Sequence, residues 1–165
     1  MMKWLLGGCG CLIVLGACIG AGVYFGAQAA FGTEHTRFPV AAAQPFSFQF
    51  TTGSDKEHAV WLQYDVAHTA PWSLGGTISV ATAAGAPLKS VQLTTTASGA
   101  TTTEGGARMD LNSSSSSVNG SGSASGQTRL FTIPAQPSGT MLIVSGTVMP
   151  APGTTFNSGA VVIRR

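Results

Sequence analysis

The chain has 165 residues, 8 Lys+Arg against 6 Asp+Glu and a net charge of +2, with 44% apolar residues and 22 glycines. So few charges, spread so widely, exclude a nucleic-acid surface, which needs clustered Lys and Arg to neutralise phosphates. High apolar content with low charge is the reverse of the composition of disordered chains, and the length suits one domain with an appendage.

Residues 1–3 form a short N-terminus that ends in Lys3. No charged residue follows until Glu34, and the stretch 4–31 is apolar apart from Gln28. As a helix it would span about 42 Å against about 30 Å of hydrocarbon, so it is long enough to cross a bilayer with tilt. Trp4 lies at one end, with Tyr24 and Phe25 near the other, where aromatic side chains anchor at the interface. Lys3 on the short side favours a cytoplasmic N-terminus and sends the C-terminal part out, to a periplasmic or extracellular side. The expectation is a single-pass signal-anchor; a cleaved signal ending at Ala27-Gln28-Ala29 is an alternative.

Two further features lie in this segment. Gly16/Gly20 and Gly22/Gly26 are G-x-x-x-G pairs, which let two helix backbones approach closely and make self-association through the helix a candidate. Leu15-Gly16-Ala17-Cys18 resembles the lipobox of bacterial lipoprotein signal peptides, and that resemblance implies lipidation at Cys18. Cys9, Cys11 and Cys18 are the only cysteines. The rest of the chain therefore has no disulfide framework and no thiol nucleophile, and must fold by core burial alone.

Residues 32–43 read as a tether with Pro39 and an alanine run. From 44 to 165 the hydrophobic period is two. Phe46, Phe48 and Phe50 alternate with Ser47, Gln49 and Thr51. Val60, Leu62, Tyr64 and Val66 alternate with Trp61, Gln63 and Asp65. Ile78 and Val80 mark a third strand, and Val91 and Leu93 a fourth that ends in a threonine run. A short strand is expected at Arg108–Leu111. The Ser/Gly-rich stretch 112–126 reads as a loop or a polar edge hairpin. Arg129–Ile133, Met141–Val148 and Ala160–Ile163 complete the set, leaving Arg164 and Arg165 solvated. Turn signals such as Gly53-Ser54-Asp55, Gly85-Ala86-Pro87 and Pro150-Ala151-Pro152-Gly153 separate the strands. Seven or eight short strands without an amphipathic helix predict an all-β antiparallel sandwich, immunoglobulin-like or jelly-roll.

Chemistry-bearing constellations are sparse. His58 and His68 are ten apart, which fits no compact metal spacing, and read as exposed strand ends. Asp55 and Glu57 supply too few oxygens for calcium. No serine sits in a nucleophile elbow. Neither a catalytic residue nor a cofactor is therefore expected. Trp61 and Trp72 are candidates for stacking on a ligand. The expectation is a non-enzymatic interaction or envelope-assembly module, with a membrane and another envelope protein or a glycan as partners. A tethered lectin-like domain is the alternative.

Overall fold

The computed structural model describes residues 32–69, 71–96, 99–102, 114–118 and 121–165, with 99–102 and 114–118 as backbone only. The apolar segment 4–31, with Cys18 and its four paired glycines, lies outside the described residues, as does Arg108–Leu111. Among the described residues no helix is long and apolar enough to cross a membrane.

Among the described residues ten strands make two antiparallel sheets, consistent with a β-sandwich. They are β1 (Glu34–Val40), β2 (Phe46–Thr51), β3 (His58–His68), β4 (Ser73–Thr82), β5 (Pro87–Thr96), β6 (Gly99–Thr102), β7 (Ser114–Val118), β8 (Ser121–Ile133), β9 (Met141–Pro150) and β10 (Thr154–Arg164). The order is β1-β10-β3-β8-β7 in the first sheet and β2-β9-β4-β5-β6 in the second.

The alternation that marks the strands also builds the core, because successive side chains of a strand point to opposite faces. In β2 the three phenylalanines are buried and the residues between them exposed. Val60, Leu62, Tyr64 and Val66 of β3 join Val161 and Ile163 of β10 from one sheet. Leu74, Ile78 and Val80 of β4 join Leu142, Val144 and Val148 of β9 from the other. A register shift opposite Val60/Trp61 leaves Leu130 as an extra residue in β8, and Leu130 and Phe131 both reach the core. β4 and β9 run very close together. A side chain at Gly146 would collide with the Thr77 carbonyl, and at Gly76, whose φ is +137°, with that of Thr147.

Two expectations are corrected and one choice between alternatives is made. The stretch 32–43 is not only a tether, since β1 pairs with β10 from Glu34↔Arg164 to Val40↔Gly159. Pro39 hid this strand in the sequence, yet β1 is at a sheet edge, where a missing N–H is tolerated. Of the two readings of 112–126 the polar edge hairpin is the one seen: the described backbone pairs Ser114↔Ser125 through Val118↔Ser121 as β7–β8. Finally, Arg164 is not solvated. It belongs to β10, is 8% exposed and lies over the Trp61 ring.

Candidate functional site

The two sheets divide the charge unequally. The strands of the first sheet carry Glu34, Arg37, Asp65, Arg129 and Arg164. Those of the second carry Lys89 alone. The outward positions of β2, β9, β4 and β5 are instead neutral: serine, threonine and glutamine rows at the centre, with Met141, Ile143 and Met149 of β9 as apolar positions among them. Ser47, Ser145, Ser79 and Ser90 form one row across the four strands. Thr147, Thr77 and Gln92 form the row beside it. Within the first row the Ser79 and Ser145 hydroxyls are 3.0 Å apart. This face exposes little charge to be desolvated when it meets another surface.

The outer face of the first sheet is internally tied. The Arg37 guanidinium donates twice to Glu34, at 3.0 and 2.9 Å, and once to Gln63 Oε1 at 2.6 Å. Arg37 holds the Glu34 carboxyl below its ordinary pKa, chiefly by this hydrogen bonding. Gln63 Nε2 donates to Gln127 Oε1 at 3.4 Å, and Arg164 donates to the same oxygen at 2.9 Å. Asn157 Nδ2 donates to Asp65 at 2.6 Å. Arg37 and Glu34 pair as ions while Asp65 and Arg164 are met by neutral amides, and Arg37, Gln63, Asp65 and Gln127 line an open groove on this face.

The tryptophans singled out as stacking candidates lie inside the packing. Trp72 is 4% exposed, with its ring 5.2 Å from that of Tyr64 in the core. Trp61 is 9% exposed on the opposite face of β3, with the Arg164 guanidinium 5.2 Å from its ring centroid. This is a cation–π contact between neighbouring strands.

The histidines also differ from expectation. His58 is not an exposed strand end but fully buried. Its ring is 5.6 Å from that of His35 and 5.9 Å from that of Phe50. Burial lowers the His58 pKa, aided by the nearby positive charges of His35 and Arg165 and opposed by the Lys56 backbone. His35 Nε2 is 2.7 Å from the Thr51 carbonyl oxygen, which can only accept, so this nitrogen carries the proton. That bond crosses from β1 to β2, a residue-level tie for which the sequence offered no signal. Among the described residues, no group of three or more His, Cys, Asp or Glu gathers to hold a metal ion.

The chain matches no protein-family model and no curated protein.

Proposed function

We propose that the chain is a membrane-anchored, extracytoplasmic interaction or envelope-assembly module without enzymatic activity. The observation that carries this reading is the almost uncharged second sheet, whose outward rows are suited to meeting another neutral surface. The anchor rests on the uncharged stretch between Lys3 and Glu34. The strand order supports a jelly-roll over an immunoglobulin-like sandwich. β1-β10-β3-β8 facing β2-β9-β4-β5 is the interleaving that results when a long hairpin-like chain rolls up into two four-stranded sheets, with β6 and β7 added at the ends. This architecture hosts many functions and by itself assigns none. A lectin-like reading lacks support from Trp61 and Trp72, both of which are packed rather than presented.

Membrane fractionation tests the proposal. The full chain is expected to stay with the membrane pellet through alkaline extraction, and protease added to intact cells is expected to remove the β domain. Recovery of the full-length chain in the soluble cytosol would overturn it. In the same experiment Cys18→Ser separates the two kinds of anchor. Lipid labelling that disappears in this variant assigns lipidation, and an unlabelled wild-type chain assigns a spanning helix.

A further inference from the structure

A sheet edge presents backbone N–H and C=O groups that can pair with another strand, and proteins ordinarily blunt such edges with charge, proline, bulges or very short strands. β1 has three of these devices: Glu34 and Arg37, Pro39, and a register shift between Glu34 and Thr36. β6 and β7 are four and five residues long. β2 has six residues, with no charge, no proline and no register shift against β9.

The open groups of β2 can be named. Thr52 N–H donates to the Thr140 carbonyl at 2.9 Å, which fixes the side on which alternate residues pair with β9. Phe46, Phe48 and Phe50 share that side, so Ser47, Gln49 and Thr51 turn their backbone groups outward. His35 occupies the Thr51 carbonyl. On the other side of the window Pro45 has no N–H. Three donors, on Ser47, Gln49 and Thr51, and three acceptors, on Pro45, Ser47 and Gln49, remain with no partner among the described residues.

We infer that β2 is a pairing edge for a second copy of this chain, joined antiparallel about a two-fold axis. The inference rests on the interaction-module reading and names its partner. The window selects one register. Ser47 pairs with Gln49 of the second copy and Gln49 with Ser47 of the second copy, and each Thr51 N–H meets the Pro45 carbonyl of the other copy, closing six backbone hydrogen bonds. A shift that pairs Gln49 with itself closes only four, because its other two bonds need the Thr51 carbonyl, which His35 already holds. The neutrality of the strand matters most here, because a two-fold axis places each residue near its own counterpart, where like charges repel. β2 has none to oppose, and the second sheet continues across the axis as one neutral face.

Cross-linking the full chain in lipid vesicles tests this. With Cys9, Cys11 and Cys18 replaced by alanine, Gln49→Cys is expected to give a covalent dimer with a short bis-maleimide, and Gln92→Cys on β5 none. Ser47→Lys added to Gln49→Cys places like charges across the axis and is expected to abolish the dimer while thermal unfolding stays unchanged. Dimer at Gln49 no greater than at Gln92, or dimer that survives Ser47→Lys, would overturn the inference. So would cross-linking of Gln49 only to a different protein in native membranes. If the chain fails to float with vesicles, the anchor fails, and the same cross-linking in solution still reads the edge. Leucine at Gly16, Gly20, Gly22 and Gly26 separates pairing through the apolar segment, and the Gln49 dimer is expected to persist in that variant.

Discussion

His58 opens β3 with no exposed surface, beside the rings of His35 and Phe50. Burial makes its imidazolium form costly, and the neighbouring His35 and Arg165 charges add to that cost. The folded pKa is therefore below the ordinary 6.5, so at mildly acidic pH the unfolded chain binds a proton that the folded chain resists. Stability from this residue is complete above about pH 6.5 and declines as the pH falls through and below that value. Glu34 acts in a lower window: its depressed pKa contributes stability above 4.5 that is lost further into acid. Urea unfolding followed from about pH 8 to about pH 5 is expected to show stability falling below about pH 6.5 in the wild type. His58→Leu is expected to flatten that fall. An unchanged slope in the variant would show that another group is responsible.

At the scale of elements, β1 is the clearest departure from the sequence reading. Its alternation is short, and Phe38 and Val40 are separated by Pro39, so periodicity alone does not reveal a strand. Its place comes from partners distant in sequence: β10 along its backbone and Phe48 against its side chain. Phe38 stacks on Phe48 at 4.7 Å with 12° between the rings. A phenylalanine in a mere tether would tolerate alanine within about 0.5 kcal/mol. As part of β1, Phe38→Ala is expected to cost about 1–3 kcal/mol, read as a lowered denaturant midpoint at constant slope. β2, β3 and β9 were legible because they bury alternate residues, leaving a period in the sequence, and β10 because Ala160–Ile163 is a continuous apolar run. β6 was not, and β7 was legible only as one of two readings of its tract, since glycine, serine and threonine pair through backbone without an apolar signature. The same limit applies to the candidate edge. Ser47 and Gln49 are readable as outward residues, but their standing at an open edge depends on strand order, which no local pattern encodes.

Across the domain as a whole, charge and neutrality fall on different sheets. The chain alternates between the sheets from β1 to β4 and returns from β8 to β10, so the sparse charges of distant segments collect together. The same route sets the two ends of the domain side by side, with Glu34 at the start of β1 opposite Arg164 at the end of β10. Tension between those ends would load the β1–β10 ladder from its terminus, opening one pair at a time like a zipper rather than shearing all pairs at once. With handles at residues 33 and 165 in a single-molecule pulling experiment, β1 is expected to peel away first, at low force. The seven residues of β1 would then yield about 24 Å of slack before the core gives way. Rupture of the whole domain in one step would contradict this. The strand that looks like a tether is thus built to become one under load, as a mechanical fuse between the apolar segment and the folded core.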